Sequence, residues 1–112
     1  MSFIPADYET VDSRIHRFWE QYPNGRIITS IHALSETGGI FKAEIFTDRD
    51  DVIPATVDFA EETKGSSPVN KTSWLENGLT SAVGRALADL GFSPKGKRPS
   101  QEEMAKIGRA HV

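Results

Sequence analysis

Arg26-Ile-Ile-Thr-Ser-Ile-His-Ala-Leu34, Ile40-Phe-Lys-Ala-Glu-Ile-Phe-Thr47 and Val52-Ile-Pro-Ala-Thr-Val-Asp-Phe-Ala-Glu61 are three extended-type runs in succession. The first is rich in β-branched residues, which fit a pleated surface. The second alternates, with Phe41, Ala43 and Ile45 on one face and Lys42 and Glu44 on the other. The third is expected to alternate likewise, with Ile53, Ala55, Val57 and Phe59 inward and Pro54, Thr56 and Asp58 outward. Alternation at period two marks half-buried strands. The separating segments, Ser35–Gly39 and Asp48–Asp51, are short, and short turns between consecutive strands predict an antiparallel meander. Pro54 has no amide to give to a ladder, so its strand is expected to be an edge or to bulge there.

Upstream, residues 8–22 predict a helix. Val11, Ile15, Phe18, Trp19 and Tyr22 recur at helical spacing, while Arg14, His16, Arg17 and Glu20 fall on the other side. Asp7 or Thr10 can cap it, and Pro23-Asn24-Gly25 ends it. Downstream, Ser73-Trp-Leu-Glu76 reads as a capping box opening a second helix. Leu75, Leu79, Val83, Ala86, Leu87 and Leu90 form its core stripe, and Gly91 stops it. Residues 93–99 are a basic linker, and Ser100-Gln-Glu-Glu103 opens a short C-terminal helix with a second capping box. The fold class is therefore α+β, in the order α-β-β-β-α: an antiparallel three-stranded meander packed against helices. The division expected is a core over 1–92, then linker and short helix over 93–112.

The 112 residues suit one domain and carry a net charge of −3, with an acidic excess over 1–62 and a basic excess over 63–112. A local basic surface, rather than net charge, is what steers a phosphate backbone. There is no cysteine, which removes disulfide and thiol chemistry. No apolar run is long enough to span a membrane, and the N-terminus lacks a signal-type core, so a cytoplasmic location is expected. His16, His32 and His111 have no metal-ligand spacing. Asp48, Asp50 and Asp51 read as an acidic hairpin turn, without the glycine and distal glutamate of a calcium loop. Gly65-Ser66-Ser67 is not a nucleotide-binding loop, and no nucleophile motif is present. Glu44 and Asp58 are expected to share one sheet face as solubilising acids. No catalytic residue, metal or cofactor is assigned.

The chemistry concentrates at one loop–helix junction, Gly65-Ser-Ser-Pro-Val-Asn-Lys-Thr-Ser-Trp-Leu-Glu-Asn-Gly-Leu-Thr-Ser-Ala-Val-Gly-Arg-Ala-Leu-Ala-Asp-Leu-Gly-Phe92. Lys64, Asn70, Lys71, Thr72 and Arg85 surround it, and Lys95, Lys97 and Arg98 follow. If the loop and the linker share a side, these cations form a basic groove. A guanidinium at Arg85 matches a phosphate in two-pronged fashion; its ordinary alternative is an ion pair with Asp89 one turn on. Phe46 and Trp74 are either stacking platforms for unpaired bases or core residues. Thr80, Ser81, Gly84 and Ala88, with Asn77, make a small-residue stripe. Gly84 in a helix interior costs about 1 kcal/mol relative to alanine, which implies close approach of another backbone, either the sheet's or a neighbouring subunit's.

Thr80-Ser-Ala-Val-Gly-Arg-Ala-Leu87, followed by Leu90-Gly-Phe92, resembles phage-encoded single-strand annealing proteins. These belong to the superfamily of the essential-recombination-function proteins and the eukaryotic strand-annealing recombinases. Ser66-Ser-Pro-Val-Asn-Lys-Thr-Ser73 and Glu76-Asn77 look like the phage-type subgroup, and the similarity in element order spans roughly 8–92. The resemblance implies ATP-independent single-stranded DNA binding and strand annealing in homologous recombination, with 1–92 as the single-strand-binding core. It implies homo-oligomeric rings or filaments, a location in the bacterial host cytoplasm, and a phage exonuclease or host single-strand-binding protein as partner. It places DNA in a basic groove between sheet and following helix, with Lys64, Lys71 and Arg85 on the backbone. Two other readings of the residues stand beside it: a small cystatin-like ligand-binding domain or enzyme using His32, Glu44 and Asp58, and an oligomeric structural or adaptor protein.

Overall fold

A computed structural model describes residues 8–65, 70–94 and 97–110, with side chains described except at 70–72 and 106–110. The elements are α1 (Val11–Gln21), β1 (Arg26–Leu34), β2 (Gly38–Phe46), β3 (Thr56–Thr63), α2 (Asn70–Asp89) and α3 (Gln101–Ala110). The strands form one antiparallel sheet in the order β1-β2-β3. The fold is the mixed α+β arrangement in the expected order. No helix among the described residues is long and apolar enough to cross a membrane.

Local chemistry sets the element ends. Thr10 caps α1, its Oγ1 accepting the Ser13 amide at 3.1 Å. Gly91, at φ 105°, ends α2: the Gly91 amide donates to the Ala88 carbonyl and the Phe92 amide to the Leu87 carbonyl. That pair is the double C-terminal cap that a left-handed residue permits. Ser100 Oγ accepts the Glu103 amide at 3.2 Å and so caps α3. The start of α2 departs from expectation. A first turn at 70–72 precedes Ser73, whose φ of −130° breaks the helix where the cap is predicted.

One face of the sheet is covered. Phe41, Ala43 and Ile45 of β2 are buried there with Ala82, Ala86 and Leu87 of α2 and Phe18 of α1. The inward face of the third strand is the reverse of the sequence expectation. Phe41 pairs with Ala60, Ala43 with Asp58 and Ile45 with Thr56, so Thr56, Asp58 and Ala60 face α2. Val57 and Phe59 lie on the open face. A one-residue change of parity moves a whole strand's side chains to the other face. Here α2 lies close to β3, and short side chains permit that approach; Thr56 Oγ1 donates to the Ala86 carbonyl at 2.9 Å. The strand also begins later than expected. Val52 and Ile53 are 92% and 79% exposed in the connection, and Pro54 precedes the ladder altogether. Glu44 pairs with Val57 on the open face and Asp58 with Ala43 beneath α2, so the two acids do not share a face.

The glycines of α2 set its height over its neighbours. A methyl at Gly78 would overlap the Phe41 ring, and one at Gly84 would stand 2.8 Å from Val11 Cγ2. The close approach at Gly84 is made by the Val11 side chain of α1, and not by the backbone of the sheet or of a neighbouring subunit as expected. Ser81, Gly84 and Ala88 are buried within the chain, and Thr80 is half-buried.

Arg14, expected on the polar side of α1, is completely buried. Its Nη1 donates to the Gly84 carbonyl at 3.0 Å and its Nη2 to the Arg98 carbonyl at 2.8 Å. Glu9 Oε1 lies 3.5 Å from its Nε. Arg14 therefore ties α1 to the middle of α2 and to the segment leading into α3. Burial pulls the Arg14 pKa down, against the raising attraction of Glu9, Glu103 and Glu102.

Glu9 is the shared carboxylate of this cluster. Arg17 Nε and Nη2 donate to it at 2.8 and 2.6 Å, and Ser13 Oγ at 2.7 Å. Burial raises its pKa, but the hydrogen bonds from Arg17 and Ser13 and the charges of Arg17 and Arg14 outweigh that and hold it below 4.5. A depressed folded-state pKa contributes stability that is complete above the ordinary value and disappears as pH falls through the folded-state value. Glu9→Gln should therefore melt earlier than wild type at neutral pH, and the gap should close as pH drops below 4.5. Thermal melts across that range test this; a gap that persists unchanged to about pH 3 would contradict it.

Candidate nucleic-acid interface

Two groups of exposed cations flank α2, at opposite ends. At the junction with β3, the Lys64 amide donates to the Thr37 carbonyl at 2.7 Å, which fixes the chain as it leaves the sheet. The Lys64 ammonium lies 5.0 Å from the centroid of Trp74. Trp74 is half-buried and tilted against Phe41, with ring centroids 5.9 Å apart. A cation over an indole face, anchored on a core phenylalanine, holds a positive charge against an aromatic surface. Asn70, Lys71 and Thr72 form the first turn of α2 beside it, and their side chains lie outside the described residues.

About 16 Å further along the helix, taking 1.5 Å per residue, Arg85 projects with half its side chain exposed. Its partner is not Asp89 but Glu103 of α3, whose Oε2 lies 3.2 Å from Arg85 Nε. Asp89 instead holds the Arg98 guanidinium. Arg85, Arg98, Asp58, Ala88, Pro99 and Glu103 line a pocket of about 230 Å³. Lys97 turns toward Tyr8, its ammonium 5.4 Å from the ring centroid. Lys95 lies outside the described residues.

Among the described residues the cations of the expected basic groove fall into two groups. Lys64 sits with Trp74, and Arg85 sits with Arg98, but the second pair shares its pocket with carboxylates. Sequence reasoning named these cations and missed the acids that hold them. The Ser100–Glu103 capping box announced a helix but carried no sign that its first turn docks back on α1 and α2.

Of the two aromatic platforms expected, only Trp74 is accessible. Phe46 is buried, with the Arg26 guanidinium 4.1 Å from its ring centroid. The open face carries an aromatic surface that was expected to be core: Phe59 is 39% exposed and meets the His32 ring edge to face at 5.0 Å. Ile28 and Val57 lie on the same side. His32 occupies the irregularity between Ile31 and Ala33, where the β1–β2 register shifts. The Asp48 carboxylate accepts the Asp50 amide at 2.9 Å, the local bond of an acidic turn.

Comparison with family models, with curated proteins and with solved structures gave no match.

Proposed function

We propose that this protein binds single-stranded DNA without nucleotide hydrolysis and promotes the annealing of complementary strands in recombination. The observation that carries the reading is the Lys64–Trp74 pair at the entry to α2, whose two residues bracket Ser66–Ser73, one of the segments that resemble the strand-annealing proteins. An unpaired base would take the place of the Lys64 ammonium over the indole, at a worth of about 1–3 kcal/mol, and the displaced Lys64, with Arg85, would meet backbone phosphates. Unpaired strands are favoured because their bases are free to stack. Annealing runs downhill once repulsion between the strands is screened, so no energy source is needed.

The exposed Ile28, Val57 and Phe59 on the open face support self-association, the second part of the proposal. Apolar side chains left exposed on an uncovered sheet face, here beside Lys42 and Glu44, offer a contact surface with a polar component.

Fluorescence anisotropy with labelled oligothymidylate and a duplex of equal length tests the binding. Single strands should bind more tightly, with affinity falling as salt rises. Lys64→Ala combined with Arg85→Ala should weaken binding about tenfold and lower the salt slope by about 2, while the melting temperature stays close to wild type. Oligothymidylate should quench tryptophan fluorescence in Trp19→Phe but not in Trp74→Phe. No binding at low salt would end the proposal. A strict monomer by light scattering would end its second part.

A further inference from the structure

The first turn of α3 is held almost wholly by polar groups. The Glu102 carboxylate accepts the Val11 amide, at 3.1 and 3.2 Å from its two oxygens. The Gln101 amide donates to the Glu9 carbonyl at 2.9 Å, and Gln101 Nε2 to the Tyr8 carbonyl at 2.5 Å. Ser100 is fully buried, and Arg14 grips the carbonyl of Arg98 just ahead of it. Among the described side chains none from α3 belongs to the hydrophobic core. Such a segment is seated in one position by hydrogen bonds rather than by apolar burial.

This seating places the Glu103 carboxylate on Arg85. Asp58 lines the same pocket, so the seated state sets two carboxylates against the two guanidinium groups of Arg85 and Arg98. A phosphate that takes the Nε edge of Arg85 in two-pronged fashion must displace Glu103, whose carboxylate holds that edge.

We propose that the segment from Arg98 to Glu103 is an acidic latch, in which Glu103 competes with the DNA backbone for Arg85. The latch rests on the reading of Arg85 as a phosphate contact. It restrains binding when α3 is seated, and bound DNA frees α3 from the Arg85 pocket. The exposed position of the pair sets the size of the restraint. An ion pair open to solvent, at up to about 1 kcal/mol, corresponds to a change of up to about fivefold in affinity.

Glu103→Gln is the test, in the full chain, because glutamine is close to glutamate in shape, suits the third position of a capping box and removes the charge. Asp50→Asn removes the same charge from the turn between β2 and β3 and is the control. Glu103→Gln should bind labelled oligothymidylate about two- to fivefold more tightly than Asp50→Asn at low salt. The gain should vanish when Arg85→Ala is added. In wild type, saturating oligothymidylate should accelerate hydrogen exchange at the Gln101 and Met104 amides, which the Glu9 and Ser100 carbonyls protect. Wild-type binding with Glu103→Gln no tighter than Asp50→Asn would overturn the latch and leave the DNA reading intact. So would a gain that survives Arg85→Ala. Failure of wild type and every variant to bind would overturn the DNA reading, and the latch with it.

Discussion

Replacing Arg14 by methionine should destabilise the protein by about 3 kcal/mol and lower its melting temperature by at least ~10 °C. The sign follows from what remains after the guanidinium is gone. Replacing both members of a buried ion pair with apolar groups is often neutral, because both desolvation costs disappear together. Here two of the acceptors are backbone carbonyls, those of Gly84 and Arg98, which no substitution removes. A buried acceptor stripped of its donor costs about 1–3 kcal/mol, and the methionine fills the space without supplying one. Glu9 loses one cation but keeps Arg17, so its share of the loss is smaller. Arg14→Lys should recover less than half of the stability, since a single ammonium cannot reach two carbonyls on different elements as a planar fork does. Urea denaturation with the slope held in common measures both variants. A loss below ~1 kcal/mol for Arg14→Met would mean that water or repacking satisfies those carbonyls. Because Arg14 binds the segment ahead of α3, the same variant should also speed hydrogen exchange at the Gln101 amide.

The reach of sequence reasoning follows the range of the interactions involved. Thr10, Gly91 and Ser100 were readable because a cap acts within three or four residues of itself. The buried face of β2 was readable because Phe41, Ala43 and Ile45 alternate with Lys42 and Glu44, so pattern and burial agree. On β3 the apolar residues Val57 and Phe59 form the consistent stripe, yet α2 requires short side chains beneath it and selects Thr56, Asp58 and Ala60. Hydrophobicity and close approach pull in opposite directions there, and close approach prevails. Arg14 looks like any exposed helical arginine until the carbonyls 70 and 84 residues away are in place. The candidate site divides in the same manner. Lys64, Arg85 and Arg98 were identifiable as cations near one helix, whereas Glu103 lies 18 residues from Arg85 and competes with the obvious local partner, Asp89. The requirement for close packing at Gly84 was legible from the cost of glycine in a helix; that α1 supplies the packing was not.

The contact between Gly78 and Phe41 should yield the largest coupled effect in the molecule. Phe41 is fully buried beneath α2, so Phe41→Ala alone should cost about 3–5 kcal/mol through lost burial and the cavity left behind. Gly78→Ala draws on two opposed terms. Alanine gains about 1 kcal/mol over glycine in a helix interior. Its methyl, however, would overlap the Phe41 ring, which has no exposed direction in which to retreat. Overpacking of a filled core costs about 1–3 kcal/mol, so the net change at Gly78 should be destabilising despite the better helix former. The two substitutions oppose each other in space: removing the ring vacates the volume that the methyl enters. Gly78→Ala introduced into Phe41→Ala should therefore regain the propensity term without the clash and raise stability by about 1 kcal/mol. A double-mutant cycle by urea denaturation reads this coupling directly. Additive losses would show that α2 does not rest on Phe41 through Gly78. A gain confined to the Phe41→Ala background would identify glycine at this position as a requirement of helix-to-sheet distance, with Trp74 and Lys64 set at that height above the sheet by the same contact.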